Sequence, residues 1–578
     1  MPNTWQTNPA EIAAQQALDD VFECIRSRQN FRLEAGAGAG KTYSLVKALR
    51  LIINEQGATL LRKSQQVACI TYTNVATDEI ISRTDGHPAV YASTIHAFCW
   101  NLIKSFQSFL RGKVSDIEAW SEKLEENGWV GTRRVDYDLG QRRINETHLF
   151  LHHDDVLTLT VALMDQTKFR HLLTARFPIL FVDEYQDTNE DLANSIIQHF
   201  IGPRVGPLIG LFGDSWQKIY RDGKGLIEHT NIKQIGKEAN FRSTKEIVNI
   251  LNKIRPDLPQ RIKSPDDTGS IAVYHSNDWV GLRRSGNHWA GDLPAEVAHD
   301  YLEEIRRQLS KDRWDFSPQK TKILMLTHNV LAAEQNYVQI ANAFKYTDSY
   351  IKKEDPHIAF LVDTVEPACA AFQNGHYGEM FALLGSRSSC IRTHNDKRTW
   401  AKEMLLLVEL RQTKTIGEVL DFLKGTYHLK LPDSVKKTET KLEAASPAEI
   451  EESLTLSQIS KLRNIPYTEL VSLACFVNDH TPFSTKHGVK GAEFENVLVV
   501  LGRGWNHYNW NQLLEWFPDH FPTNKADTYE RNRNLFYVAC SRPKKRLALL
   551  FTQELSEAAL ATLRSWFGEE NINPLTFG

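Results

Sequence analysis

The stretch NFRLEAGAGAGKTYSLVKAL, residues 30–49, limits what this chain can fold into more than any other. Phe31 to Leu33 reads as a short buried parallel strand. Ala35, Gly36, Ala37, Gly38, Ala39 and Gly40 follow, then Lys41, Thr42 and a helical pattern at Leu45, Val46 and Leu49. Small residues let backbone N–H groups curl around a phosphate with no Cβ in the way. The helix behind them presents its positive end, Lys41 can reach the outer phosphate oxygens, and Thr42 can hold Mg²⁺. The first position of the usual pattern is Ala35 rather than Gly. With strand, loop, GKT and helix all in order, a glycine-rich turn that binds nothing is the weaker reading.

A chain of 578 residues is long for one core and suggests two to four domains. The net charge of −3 does not advertise a nucleic-acid binder, but a groove that grips one strand needs only local basic residues. Seven scattered Cys, none in a CxxC pair, argue against disulfides and zinc and fit a reducing cytoplasm. The start, MPNTWQTNPA, is not a signal peptide, and no apolar run approaches membrane-spanning length.

Residues 8–28 read as a helix carrying Gln15 and Gln16 ahead of the loop. A Gln amide can pair with an adenine edge, although a solvated helix residue is the plainer role. Val67 to Ile70 is a strand ending in Thr71-Tyr72-Thr73-Asn74, and Thr94-Ile95-His96-Ala97-Phe98 follows; such termini suit phosphate contacts and base stacking. Residues 100–150 turn charged and read as a helical inserted lobe. His152-His153-Asp154-Asp155 invites a metal reading, but neighbours on a helix splay apart rather than converge. Ile179 to Val182 is a buried strand that delivers Asp183 and Glu184 at its carboxyl end. There Asp183 can hold Mg²⁺ and Glu184 can polarise water. Leu208 to Phe212 leads into GDSWQKIY, where Gln217 could sense a terminal phosphate, and NFRS brings Arg242, which could neutralise it.

The order AGAGAGKT, TYTN, TIHAF, VDEYQDTN, GDSWQKIY, NFRS, then HGVKGAEFENVLVV at 487–500 and ERNRNLFYVACSR at 530–542, resembles the UvrD/Rep family of superfamily 1 DNA helicases. The resemblance covers both ends of the chain. It implies an α/β fold of two RecA-like lobes with parallel sheets flanked by helices, each interrupted by a mainly helical insertion. The first lobe would be 1–98 and 154–245, with 99–153 inserted. The second would be 246–344 and 476–578, with 345–475 inserted at the position of the family's mobile subdomain. Within that insertion, SVKKTETKLEAASPAEIEES reads as a linker or exposed turn. After Arg542 come a closing strand, RLALLF, and one short helix, leaving no room for an appended RecB-type nuclease domain.

By the same resemblance, Lys41 and Thr42 would bind ATP phosphates and Mg²⁺, Asp183 would bind Mg²⁺, and Glu184 would be the catalytic base. Gln217, Arg242 and Arg542 would surround the γ-phosphate, the two Arg acting as fingers from the second lobe. Phe241 would stack on adenine, Glu493 would meet the ribose, and Gln16 would read the adenine edge. Tyr72, Thr73, Asn74, His96, Tyr220 and His487 would lie along single-stranded DNA. The chain departs from the family in three further places. Arg221-Asp222-Gly223 lacks the usual aromatic after Tyr220, Trp216 stands where an acid is usual, and Ser541-Arg542 replaces Thr-Arg. Trp505, Trp510 and Trp516 read as core packing rather than a partner surface.

Three functions follow as alternatives. The first is an ATP-driven, 3′→5′ motor on single-stranded or tailed duplex DNA. The second is a DNA-responsive ATPase switch that signals to a nuclease subunit and unwinds little. The third, a DNA-independent NTPase, is disfavoured by TYTN and TIHAF. Family members of this length serve both as stand-alone repair helicases and as partners of OLD-type nucleases in Gabija-like phage defence, and the sequence does not separate the two roles.

Overall fold

The computed structural model describes residues 8–575 except 139–141, 219–222, 287–288, 326–327, 386–390, 392, 427–429, 479, 485–491, 504–507 and 518–519. The chain divides into two compact units. The first comprises Met1–Ala272, Gln512–Leu547 and Glu557–Asn571, and the second Val273–Asn511, Ala548–Ser556 and Ile572–Gly578. The segments 246–344 and 476–578 thus contribute to both units.

The first unit opens with α1 (Pro9–Ser27), whose first turn is capped by the Asn8 side chain accepting from Ala10 N at 3.0 Å. There follow β1 (Phe31–Ala35), α2 (Lys41–Arg62), β2 (Val67–Thr71), α3 (Asn74–Arg83), β3 (Val90–Thr94) and α4 (Ile95–Ile103). After helices Gln107–Val114 and Ser121–Asn127 come three short strands, β4 (Arg134–Tyr137), β5 (Arg143–Ile144) and β6 (His148–Leu151). The chain then forms β7 (Ile179–Asp183), β8 (Leu208–Gly213), β9 (Lys233–Lys237), β10 (Ala239–Asn240) and β11 (Arg261–Ile262). The main sheet runs β3-β2-β7-β8-β1-β9, with every pairing parallel. Its four central strands, β2, β7, β8 and β1, are buried throughout, which requires helices on both faces and explains their near-continuous apolar runs. Phe31, Phe181 and Phe212 meet edge to face with centroids 5.3–5.9 Å apart. A Cβ on Gly210 would lie 2.7 Å from two of those rings, so the strand needs glycine there.

The insertion corrects part of the sequence reading. The sequence reads residues 133–146 as helical, yet Arg134–Tyr137, Arg143–Ile144 and His148–Leu151 form a three-stranded sheet in the order β4-β6-β5. The reason is a period of two: Val135, Leu149 and Leu151 are buried while their neighbours face outward. His152-His153-Asp154-Asp155 begins a helix, His153–Met164. Asp155 closes a capping box with His152, accepts from Trp120 Nε1 at 3.0 Å and pairs with Arg142 at 2.6 Å.

In the second unit β12 (Ser270–His275), β13 (Thr321–Met325), β14 (Phe483–Ser484), β15 (Phe494–Leu501), β16 (Pro543–Phe551) and β17 (Ile572–Pro574) make a sheet ordered β14-β13-β15-β16-β12-β17. The chain passes from one unit to the other within β12 and β16. Between β13 and β14 it is helical, and here too an expectation is corrected. The polar stretch read as a linker forms helices Asp433–Ala444 and Pro447–Glu452, the second with a Ser446–Glu449 capping box. Burial of Val435, and of Glu439 against His357 and Arg463, holds the first in place. Trp510 is buried and donates from Nε1 to Gly502 O at 2.8 Å, as core packing requires; Trp505 lies outside the described residues. Among the described residues no helix is long and apolar enough to cross a membrane.

Candidate active site

The loop between β1 and α2 is held by its carbonyls. Phe241 N donates to Gly38 O at 2.8 Å, Asn240 Nδ2 and Gln260 Nε2 to Ala37 O at 3.1 and 3.0 Å, and Lys237 Nζ to Gly40 O at 2.9 Å. The N–H groups of the first turn of α2 lack intrahelical acceptors and so are available to an anion. Gly38 and Gly40 have φ of 76° and 73°, and a Cβ on Gly38 would come within 2.7 Å of Asn240 Oδ1. The cradle therefore needs glycine for both conformation and room. Burial lowers the Lys237 ammonium to about 8, although Ser44 Oγ accepts from it at 2.8 Å.

Beside the loop, Lys41 Nζ pairs with Glu184 Oε2 at 2.6 Å, and Gln186 Nε2 donates to the same oxygen at 2.6 Å. Glu184 has φ 51° and ψ 44°, a left-handed backbone unusual for a non-glycine residue. Such strain is held where surrounding structure over-determines it, often at a functional group. Burial, with Glu184 next to it, pushes Asp183 up to about 7. Burial opposes the charge on Lys41, but Glu184 and Asp183 outweigh it and raise its pKa. The hydroxyl of Thr42 and the carboxylate of Asp183 are hard oxygen donors, and a divalent cation beside Asp183 would reverse the cost of ionising it; the set fits Mg²⁺.

Asp214, first residue after β8, accepts from Trp216 N at 3.1 Å and from Gln217 Nε2 at 2.7 Å. Gln217 Oε1 accepts from Arg542 Nη2 at 2.8 Å across 325 positions of chain. Arg242 Nη1 donates to Ser541 O at 3.1 Å. Burial and the neighbouring Arg242 lower Arg542 to about 9, a penalty that an incoming anion would relieve. Gln217, Arg242 and Arg542 all lie within the first compact unit.

Known proteins similar to this chain give its family. A model of the AAA domain matches residues 20–222, and one of the UvrD-like helicase C-terminal domain matches residues 430–554. The chain is 25% identical to Gabija protein GajB of Bacillus cereus (strain HuB5-5), over 96% of this chain and 97% of that protein. It is 23% identical to ATP-dependent DNA helicase PcrA of Bacillus subtilis (strain 168), over 94% of this chain and 82% of that protein. A second Gabija protein GajB, from B. cereus (strain VD045), is 19% identical over 95% and 98%. The chain is a UvrD/Rep-like helicase of superfamily 1. Its phosphate loop lies in an ATP-binding P-loop domain.

Other residues expected of a UvrD/Rep-like chain are scattered more widely. Gln16 is exposed on α1, while Gln15 donates to Asp19 at 2.8 Å. Phe241 is half-buried beside Gly40. Glu493 is exposed just before β15, in the second unit. Tyr72, Thr73 and Asn74 are exposed at the end of β2, where Thr73 caps α3 by accepting from Ala76 N. His96 packs on His153, centroids 4.9 Å apart, and burial with that neighbour lowers it to about 4. Tyr220 and His487 lie outside the described residues. Trp216, the departure from an acid, has the Arg533 guanidinium 3.9 Å from its ring centroid and the Tyr537 ring edge-on at 5.6 Å.

The sequence reading missed the bed beneath these groups: Glu34, Lys237, Asn240, Arg255 and Gln260. One signal was present. Arg32 and Glu34 are charges inside a strand otherwise read as buried, and buried charges require partners.

Proposed function

We propose that this chain is an ATP-driven DNA translocase and helicase that binds single-stranded DNA and moves 3′→5′. The observation that carries the proposal is a pair of contacts near one phosphate loop, Lys41 with Glu184 and Gln217 with Arg542, with the Glu184 charge acting on Arg542. Lys41, paired with Glu184 in this structure, exchanges that partner for phosphate oxygens. Glu184, which Gln186 still orients, can then take a proton from the attacking water. Gln217 responds to the terminal phosphate, and Arg542 and Arg242 neutralise charge that spreads over its oxygens in the transition state. Thr42 and Asp183 would hold Mg²⁺, which when bound neutralises phosphate charge. Phe241 takes the adenine face, Gln16 its edge and Glu493 the ribose. Tyr72, Thr73, Asn74, His96, Tyr220 and His487 line the single strand. On this reading the lobes would be 1–98 with 154–245 and 246–344 with 476–578, the insertions 99–153 and 345–475.

A second reading has its own support. Both GajB relatives match over nearly their whole length, whereas the PcrA match leaves more of that protein uncovered. On this reading the chain is a DNA-responsive ATPase that signals to a nuclease subunit, the OLD type being the candidate. Unwinding of 3′-tailed and 5′-tailed duplexes by the protein alone, alongside its ATPase rate with and without single strands, separates the two. The motor predicts many-fold stimulation and unwinding of the 3′-tailed substrate only. Stimulation without unwinding selects the switch, and equal ATPase rates with and without DNA overturn both.

A further inference from the structure

A buried ionic bridge lies between the phosphate-loop strand and Gln217, and none of the roles above uses it. Its centre is Arg255, the residue that ends the helix Lys245–Ile254, with 2% of its surface exposed. Arg255 Nη2 donates to Glu34 Oε1 at 2.9 Å, Nη1 donates to Asp214 Oδ1 at 2.5 Å, and Asp257 stands 3.5 Å from Nε. Its guanidinium lies 5.1 Å from the Trp216 ring centroid and 5.6 Å from that of Tyr537. Glu34, one residue before Ala35, also accepts from Tyr185 Oη at 2.5 Å and from Ser215 N and Oγ at 2.7 Å.

Such a bridge is costly to bury. Isolated from water, a pair of this kind is often no better for stability than apolar residues of the same volume. Its geometry has a consequence of another kind. Asp214 takes the amide NH₂ of Gln217, which leaves the amide oxygen turned to Arg542. Asp214 is in turn held by Arg255, and Arg255 by a strand that runs directly into the loop. Burial works against the Glu34 charge, yet Arg255 and the hydrogen bonds from Ser215 and Tyr185 outweigh it and keep this carboxyl below its usual range.

We propose that Arg255 is a positioning residue for hydrolysis: through Glu34 and Asp214 it locks Gln217 in register with the phosphate loop and in the amide orientation that meets Arg542. The proposal rests on the reading that Gln217 and Arg542 face the terminal phosphate.

The test compares Arg255→Lys, the charge-balanced pair Glu34→Leu/Arg255→Met, Gln217→Ala, and the pair combined with Gln217→Ala. Folding is followed by thermal melting, and kcat and KM for ATP are measured with saturating single-stranded DNA. The expected result is a kcat about 10- to 100-fold lower for the charge-balanced pair. KM should stay within about threefold, Arg255→Lys should recover part of the loss, and adding the pair to Gln217→Ala should cost nothing more. A folded pair variant with kcat within about twofold of the parent overturns the proposal. So does a full loss that persists on top of Gln217→Ala. Should the pair variant not fold, Arg255→Lys decides by the same readouts, and a parental kcat there also overturns it. If Gln217→Ala alone keeps the parental kcat, the underlying reading of Gln217 fails and the proposal falls with it. That failure is recognisable because Arg255 is intact.

Discussion

Both six-stranded sheets end in loops at the carboxyl ends of their strands, yet those ends differ in kind. In the first unit they carry Glu34, Asp183 and Asp214, all buried; Arg255 pairs with Glu34 and Asp214, and Asp183 accepts from Glu184 N at 3.0 Å. In the second unit β13 and β15 lead instead to a cavity of about 740 Å³. Leu293, Met325 and Val500 line it together with Trp289, over whose ring the Arg284 guanidinium lies at 4.0 Å. One architecture thus carries two surfaces: one tuned for charge in a confined space, the other roomy and mixed. Parallel strands provide a place for chemistry, but whether a charge arrives there depends on which residues stand at the strand ends.

If hydrolysis belongs to the first unit, Glu184→Gln should retain ATP binding and lose turnover by orders of magnitude. ATP binding by equilibrium titration and turnover by phosphate release would check this, and parental turnover would break the contrast. Arg542→Ala should come next, with turnover about 10³-fold lower while the fold and DNA binding persist. Lys at this position should restore only part, since a point charge lacks the planar fork. The matching change in the second unit is Trp510→Ala. Loss of a fully buried ring should cost about 3–5 kcal/mol of stability while leaving kcat per folded molecule unchanged. Denaturant unfolding paired with active-site titration separates the two effects.

The smallest effect sharpens the comparison through pH. His96, in the first unit, is lowered to about 4 by burial and by His153, so the unfolded chain binds the proton more readily. Its contribution is present above about pH 6.5 and lost as pH falls toward 4. His357, in the second unit, has the opposite sign. Burial opposes its charge, but the hydrogen bonds to Asp355 and Glu439 outweigh burial and raise its pKa. That contribution is present below about pH 6.5 and lost as pH rises through the raised value. Hydrogen exchange across this range should show His96→Asn flattening the acid side in the first unit, and His357→Gln the neutral-to-alkaline side in the second. Unchanged profiles in both variants would remove the contrast.

Much of this was legible in one dimension. The loop at 35–42, the strands that precede Lys41, Glu184 and Gln217, and the helix that precedes Arg542 all depend on neighbours a few positions apart. Periodicity and glycine content report such neighbours directly. The misread stretches were those where composition masked the period. In 134–151 the charges hid an alternation that buries Val135, Leu149 and Leu151. In 433–452 the polar residues hid helices fastened by Glu439 and by a capping box.

Tertiary structure alone decided what lies beneath the motifs. Glu34 and Arg255 are 221 positions apart, Ala37 and Gln260 223, and Gln217 and Arg542 325. No local pattern relates residues at such separations. A charge in a buried strand announces that it needs a partner, because an unpaired one would cost several kcal/mol. Which partner it finds is set only when the chain has closed the intervening loops. The same closure brings Gln512–Leu547 into the first compact unit and sets Arg542 against Gln217.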